Sequence, residues 1–198
     1  HLTDHIEDIC NTVGQPLSQT DVSIRRISDN TIADIGEAGE ICARGPCTMI
    51  GYNANEEATS QTIDSDRWLH TGDLGIMDAR GYITITGRVK DMIIRGGENH
   101  FPTEIENVLM EHPSVAEVAV VGLPDAKWGE IIACFIRTRT DEALNINSLQ
   151  VHCRTFLAPQ KTPTVWRQVN TFPLTGSGKI QKFMLRDNEL AGLYKRGP

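Results

Sequence analysis

The stretch TGDLGIMDARGYITITGRVKDMIIRGGENHFPTEIE, residues 71–106, decides how this chain is organised. It begins with Thr71-Gly72-Asp73, which we predict to be an acidic tight turn, and continues into a hairpin that turns at residues 79–81. A Gly-Arg-Val-Lys-Asp segment then leads to a Gly-Gly-Glu-Asn loop in front of a helix. The patterns before and after this stretch differ, so we predict that it joins two globular units.

The residues upstream of this stretch favour β-structure. Between residues 21 and 53, apolar runs of four to six residues alternate with Gly, Asp and Asn breaks. Such spacing is typical of a β-meander or a barrel-like sheet. A short helix is predicted for residues 56–63, and Trp68-Leu69-His70 is predicted to be a strand that enters Thr71.

The residues downstream mix helices and strands. Pro at the second position, early acidic residues and one apolar face predict a helix over residues 102–111. Further strands are predicted at residues 114–122, 131–137 and 164–170, and further helices at 148–157 and 181–190. No strict βαβ repeat is present, so the second unit is predicted to be a small α+β domain.

Composition excludes several classes of protein. The net charge of −7 over 198 residues argues against a general nucleic-acid binder, which needs a basic face. The five cysteines form no CxxC pair and show no metal-ligand spacing, which favours reduced thiols, a cytoplasmic location and no metal site. No apolar run reaches the ~20 residues of a membrane helix. The chain lacks an initiator Met, consistent with a missing N-terminus.

Lys179 in PLTGSGKIQK is the first candidate for chemistry. A Walker-type phosphate loop requires GxxxxGK[ST], but Pro173 occupies the leading glycine position and Ile180 follows the lysine. We therefore interpret Lys179 as a mobile cation on a glycine-rich loop, suited to a transition state that gathers negative charge on oxygen atoms. The alternative is a solvated surface lysine.

Three other features could hold a ligand. The Asp73 carboxylate could accept hydrogen bonds from a ribose diol, and Arg88 could offer a planar fork to the same region. Gly96-Gly97 removes side chains where a slender ligand could pass. The alternatives are a structural Gly-Asp turn, a surface ion pair, and a tight hairpin before the helix.

Six blocks in order resemble the adenylate-forming superfamily, which comprises acyl-CoA synthetases, peptide-synthetase adenylation domains and beetle luciferases. The blocks are GEICARG to MIGY (39–52), LHTGD (69–73), GRVKDMIIRGGENHFPTEIE (87–106), AVVGLPDAKWGE (119–130), FLAPQKTP (156–163) and FPLTGSGKIQKFMLR (172–186). The resemblance implies an α+β fold. Residues 1–88 would form the β-barrel-like C-terminal subdomain of the large adenylation domain, and 89–198 a small mixed α+β lid domain.

The resemblance also implies chemistry and roles. A carboxylate would attack the α-phosphate of Mg-ATP to give an acyl-adenylate and pyrophosphate, and a thiol would then displace AMP. Asp73 would bind the ribose hydroxyls with help from Arg88, and Lys90 would be the hinge about which the small domain rotates. Lys179 would bridge the carboxylate and the nucleotide.

The same resemblance points to CoA as co-substrate. RGGEN, FPTEIE and GKIQKFMLR look most like acyl-CoA synthetases for medium- to long-chain or aryl acids, although transfer to a carrier protein is the alternative. Gly96, Gly97 and Glu98 would line the pantetheine tunnel. Trp128 matches an aromatic residue near the CoA nucleotide, with core packing as an equal reading. His100 stands where such ligases usually carry an aliphatic or aromatic residue.

Two family blocks are absent from this sequence. The TSGTTGxPKG-type phosphate loop and the adenine-stacking YGxTE-type block precede everything found here, and the acyl pocket belongs to the same part. We therefore expect a C-terminal fragment that is inactive by itself, with Mg²⁺ bound mainly by the missing N-terminal region. Its partners would be a carboxylic acid, ATP, CoA and that region. The alternative is a non-catalytic nucleotide- or partner-binding fragment.

Overall fold

A computed structural model describes residues 4–140 and 143–194 of the chain. The chain divides into two compact units, of which the first ends at Lys90 and the second begins at Asp91. The division falls within a single 3₁₀ turn, Val89–Asp91, in which Lys90 is exposed. Since a 3₁₀ turn of this length has few internal hydrogen bonds, the boundary does not lie inside a long regular element.

The first unit is built on one antiparallel sheet with the order β1-β2-β3-β4. The strands are β1 (Asp21–Arg25), β2 (Ala38–Arg44), β3 (Leu69–Met77) and β4 (Ile83–Arg88), and two short helices are α1 (Ile6–Asn11) and α2 (Glu56–Thr62). Its buried apolar side chains are Ile24, Cys42, Leu74, Tyr82 and Ile83. In the described residues β1 and β4 do not pair with each other, so the meander is open and not a closed barrel.

The prediction of a tight turn at Thr71-Gly72-Asp73 is wrong, because these residues lie inside β3. His70 pairs with Cys42 and Leu74 pairs with Glu40, so three residues of β3 face Ile41 alone. This excess is a β-bulge, a local kink that re-aims side chains without reversing the chain. Gly72 has φ +73°, and the glycine that suggested a turn therefore serves the bulge.

The second unit is a mixed α+β domain, as predicted. Its elements in chain order are β5 (Ile93–Arg95), β6 (Glu98–His100), α3 (Pro102–Met110), β7 (Val115–Asp125), β8 (Gly129–Thr138), α4 (Ile146–Phe156), β9 (Val165–Gln168) and α5 (Lys182–Leu190). Strand β8 pairs with three strands: β7 runs antiparallel along most of its length, β5 connects it to β6, and β9 runs parallel to it. No helix in the described part of the chain is both long and apolar enough to span a membrane.

Alternation along β7 and β8 builds two cores, one on each face of the sheet. Val120 and Cys134 face one way, into a cluster with Ile105 of α3 and Leu149 of α4. The neighbouring side chains of the same strands face the other way, into a cluster that contains Leu185 of α5; this second cluster includes Ala119, Val121, Ala133 and Phe135. Because successive side chains of a strand point to opposite faces, a strand buried on both faces reads as one continuous apolar run.

Candidate functional site

Asp73 and Arg88, the predicted nucleotide contacts, lie side by side. The β3–β4 register makes them direct partners, and Arg88 Nε lies 2.9 Å from Asp73 Oδ1. Their side chains are 33% and 52% exposed, so both remain accessible to a ligand. An ion pair this exposed contributes only about 0–1 kcal/mol to stability. The sheet thus brings together two groups that could bind a polar ligand. Their ion pair itself adds little to the stability of the fold.

The bulge that contains Asp73 is held by hydrogen bonds that sequence reasoning missed. Thr71 Oγ1 donates to the Ile41 carbonyl at 2.7 Å and accepts from the Asp73 amide at 3.1 Å. The Gly72 amide donates to Glu40 Oε1 at 2.9 Å. In the sequence, Glu40 appears only as part of the family-like block that begins at Gly39. That resemblance assigned no role to Glu40.

Glu40 also belongs to a group of polar side chains beneath the bulge. Its Oε2 lies 2.7 Å from His70 Nδ1, and the Cys42 thiol lies 3.5 Å from the same nitrogen. A ligand atom from each of these three residues lies within 4.8 Å of the others, an arrangement that could accept a metal ion. Burial raises the pKa of Cys42 to about 12, so the thiol without a bound metal is protonated and its contact with His70 is a weak hydrogen bond. We therefore interpret the group as a hydrogen-bond network.

Lys179 lies on an exposed loop, residues 173–181, called here the Lys179 loop. The Thr175 amide donates to the Lys179 carbonyl at 2.8 Å, and the Lys179 amide donates to Thr175 Oγ1 at 3.1 Å. Gly178 supplies the turn with φ +83°. The Lys179 side chain is exposed, and its ammonium makes no ion pair or hydrogen bond with any residue that the structure describes. The loop backbone is ordered while its cation stays free.

The helix that follows the Lys179 loop is anchored by ion pairs that were not predicted. Lys182 Nζ of α5 lies 2.7 Å from Glu106 Oε1 of α3, and Arg186 Nη1 lies 3.5 Å from Glu130 Oε1 of β8. The first pair is less than a quarter exposed on both sides, so solvent screens it less than a surface pair. The Lys179 loop therefore leads directly into a helix that is held by ion pairs to α3 and β8 of the second unit.

The Gly96-Gly97-Glu98 segment forms the tight hairpin that was left open as an alternative. Gly96 and Gly97 have φ of +61° and +85° and make a two-residue turn between β5 and β6, while Glu98 already belongs to β6. Positive φ at both central residues is the requirement of a type I′ turn. The hairpin accounts for both glycines locally, and a role in a tunnel stays a prediction.

Trp128 packs against this hairpin and is not a core residue. Its carbonyl accepts from the Gly96 amide at 2.8 Å, and its ring would lie 3.1 Å from a Cβ at Gly96. The side chain is 43% exposed, with Lys127 Nζ at 4.8 Å and the Arg95 guanidinium at 5.6 Å from the ring centroid. The core-packing alternative for Trp128 is therefore not supported. Trp128 instead presents an exposed aromatic ring with two cations beside it.

His100, the departure from the family pattern, is buried with 2% exposure. Neither ring nitrogen has a hydrogen-bond partner among the described residues, and the Glu98 carboxylate is 3.9 Å from Nε2. Burial lowers the pKa of His100; the Glu98 carboxylate opposes this shift, while the cations Lys161 and Arg95 act in the same direction as burial. The lowered pKa favours the neutral form of the buried imidazole.

Comparisons with known proteins agree with this geometry. Residues 104–179 match the family described as the AMP-binding enzyme C-terminal domain. The chain is 43% identical over 181 residues to YngI of Bacillus subtilis, covering 90% of this chain and 33% of YngI. It is 40% identical over 184 residues to the human mitochondrial medium-chain acyl-CoA ligase ACSF2, covering 93% of this chain and 30% of that one.

Solved structures give the same result. The o-succinylbenzoate CoA synthetase MenE of Bacillus subtilis, in complex with an acyl-adenylate, matches with a TM-score of 0.83 and 32% identity over 96% of this chain and 37% of that one. ATP-bound MatB of Rhodopseudomonas palustris matches with a TM-score of 0.84 and 31% identity over 93% of this chain and 37% of that one.

These matches relate the chain to the C-terminal region of the adenylate-forming, AMP-binding enzymes. Within that class, its named relatives include acyl-CoA synthetases and ligases. The chain spans about a third of the length of the curated relatives that it matches.

Proposed function

We propose that this chain is the C-terminal part of an AMP-forming, ATP-dependent acyl-CoA synthetase. The observation that carries the proposal is the arrangement of the predicted nucleotide contacts, with Asp73 and Arg88 paired at 2.9 Å on adjacent strands of a sheet. Similarity to a medium-chain acyl-CoA ligase over 93% of the chain supports it. The whole enzyme would also contain the part of its relatives that has no counterpart here.

In the first half-reaction, the Asp73 carboxylate accepts hydrogen bonds from the ribose hydroxyls of ATP. A carboxylate only accepts, so two neighbouring hydroxyls are a matched donor pair for it. The Arg88 guanidinium lies beside Asp73 and would face the same ligand. These groups would fix the nucleoside, and Mg²⁺ would be held mainly by residues outside this chain.

The Lys179 ammonium serves the transfer itself. An oxygen of the carboxylic acid attacks the α-phosphorus of ATP, and the bond from that phosphorus to pyrophosphate breaks. Negative charge grows on the oxygens between the two reactants, and a lysine free of other partners can stabilise it. The Lys179 side chain is exposed and has no partner among the described residues, and its loop leads into the ion-paired helix α5, which suits that delivery.

In the second half-reaction, the CoA thiol attacks the acyl carbon and AMP leaves. Lys90 is the proposed hinge for the change between half-reactions. Gly96, Gly97 and Glu98 would then line the path of the pantetheine arm, with Trp128 near the CoA nucleotide. A cytoplasmic location fits the five cysteines, all of which are free, and cell fractionation tests it.

The test is an assay of the full-length gene product with ATP, CoA and a panel of short-, medium- and long-chain and aryl acids. We expect AMP, pyrophosphate and acyl-CoA in equal amounts, dependent on all three substrates. Release of ADP, or no turnover with any acid, would contradict the proposal. A phosphopantetheine carrier protein offered in place of CoA separates the two acceptors. The chain alone is expected to make no acyl-CoA.

A further inference from the structure

Glu40 occupies a connecting position between β2 and the bulge of β3. One oxygen of its carboxylate accepts from the Gly72 amide at 2.9 Å, and the other lies 2.7 Å from His70 Nδ1. Because a carboxylate can only accept, His70 Nδ1 must carry the proton in this contact. The side chains of Glu40 and His70 are only 18% and 21% exposed, so water competes weakly for these bonds.

The segment that these bonds hold is the one that aims Asp73. In a regular strand, side chains alternate between two faces, and a bulge alters the local backbone conformation and so re-aims the side chains within it. Three residues of β3 face Ile41 alone, and Gly72 in their middle has φ +73°. If this bulge relaxed, the Asp73 side chain would change direction although Asp73 itself was unaltered.

Thr71 completes the restraint from the other side. Its hydroxyl donates across to the Ile41 carbonyl at 2.7 Å and accepts from the Asp73 amide at 3.1 Å. Glu40 therefore restrains Gly72 in the middle of the bulge, and Thr71 connects the first residue of the bulge to Asp73, the last. Glu40, His70 and Thr71 can all restrain the bulge in this way without touching a ligand.

We propose that Glu40, together with His70 and Thr71, is a positioning residue that sets the direction of the Asp73 carboxylate toward the ribose hydroxyls. The inference rests on the proposed ribose role of Asp73 and adds the residues through which that role is exercised. These residues would determine the preference of the enzyme for ribonucleotides, and not only the stability of the first unit.

The experiment uses the full-length enzyme and compares kcat/KM for ATP with kcat/KM for 2′-deoxy-ATP and 3′-deoxy-ATP in pyrophosphate exchange. We expect Glu40→Ala to reduce the preference for ATP at least fivefold, in the same direction as Asp73→Ala. The double variant should lose little more of the preference for ATP than Asp73→Ala alone, because both substitutions remove the same interaction with the ribose. Glu40→Gln should keep most of the preference, since an amide can accept from Gly72 and donate to the other tautomer of His70.

Asp21→Asn is the matched control, because Asp21 makes an exposed carboxylate–guanidinium pair with Arg44 on the same sheet, at 2.9 Å. We expect it to leave the preference unchanged. If Glu40→Ala lowers the melting temperature and leaves the preference intact, Glu40 is only structural and the inference is overturned while the role of Asp73 stands. If Asp73→Ala itself leaves the preference intact, both are overturned.

Thr71→Val provides the test if Glu40→Ala does not fold. Thr71 is exposed, and valine keeps its shape while removing the hydroxyl that bonds to Ile41 and Asp73. A reduced preference for ATP would support the inference. A preference equal to that of the unaltered enzyme would contradict it.

Discussion

The strand pair that carries Asp73 and Arg88 and the loop that carries Lys179 are built in opposite ways. Asp73 lies in the bulge of a paired strand, where the Gly72 and Asp73 amides and the Thr71 hydroxyl are hydrogen-bonded, and its carboxylate already has Arg88 as a partner. The Lys179 loop has a bonded backbone, but its cation has no partner among the described residues.

The difference matches two kinds of chemical task. A group that binds the same atoms of a ligand throughout a reaction gains from being fixed before the ligand arrives, since no ordering cost remains. A group that must enter and leave a site gains from having no competing partner. We therefore interpret the contrast between a fixed carboxylate and a free ammonium as support for the proposed two-step reaction. Each region can be altered separately.

The largest effect in the fixed region is expected from Asp73→Ala. Loss of charge-assisted hydrogen bonds to the ribose should raise KM for ATP about 10- to 100-fold, equivalent to about 1.5–3 kcal/mol. Arg88→Ala should cost less, because Arg88 assists and its pair with Asp73 is largely exposed. Initial-rate kinetics of the full-length enzyme measure both. Asp34→Asn, a 90% exposed carboxylate, is the control, and an equal effect of all three variants would break the comparison.

A smaller effect is expected from a substitution that changes the backbone conformation of the Lys179 loop. Gly178 has φ +83°, and a β-branched side chain is strained there by about 1–2 kcal/mol. Gly178→Val should therefore misplace Lys179 and slow pyrophosphate exchange about tenfold, with KM for ATP little changed. Gly176→Ala is the matched control, because a Cβ at Gly176 would meet no atom within 4 Å. Equal rates for both variants would show that the loop geometry is unimportant.

The smallest effect concerns His100 and is one of stability. Above the ordinary pKa of about 6.5 the imidazole is neutral in both states; below it the unfolded chain gains a proton that the folded chain resists. Stability should therefore fall as the pH drops from 6.5 toward the lowered pKa of the folded state. His112, whose pKa burial also lowers, acts in the same direction.

His100→Ile isolates this contribution. We expect a gain of about 1 kcal/mol at pH 7.5, because two unpartnered buried nitrogens are removed, and a larger gain at pH 5.5. Thermal unfolding of the full-length protein at the two pH values measures it, with the exposed His5→Gln as control. An identical pH dependence before and after the substitution would contradict this account of His100.

The sequence predicted the helices and strands, but not the long-range side-chain contacts that hold them in place. The apolar alternation of β7 and β8 and the Pro-led helix α3 are local signals, and both elements formed where they were predicted. Glu40 and Glu106 could not be found in this way, because each acts on a partner that lies 30 or more residues away, His70 for one and Lys182 for the other. Such pairs depend on register and helix packing, which one sequence does not reveal.

Glycines misled the reading of Thr71-Gly72-Asp73 for a related reason. A glycine next to an aspartate signals positive φ, but positive φ serves a bulge as well as a turn. Gly72 and Gly97 have φ of +73° and +85°, yet the first stays inside a strand and the second reverses the chain. The choice is made by the partner strand, here by Ile41 and Glu40 of β2.

The most direct test of the contrast between the fixed carboxylate and the free ammonium separates the two half-reactions in Lys179→Ala. In the full-length enzyme, we predict that carboxylate-dependent pyrophosphate exchange falls about 100- to 1,000-fold, while acyl-CoA formation from supplied acyl-AMP changes by less than about threefold. Arg154→Ala, which removes an exposed cation of α4, should alter neither rate. An equal loss of both half-reactions in Lys179→Ala would contradict the account.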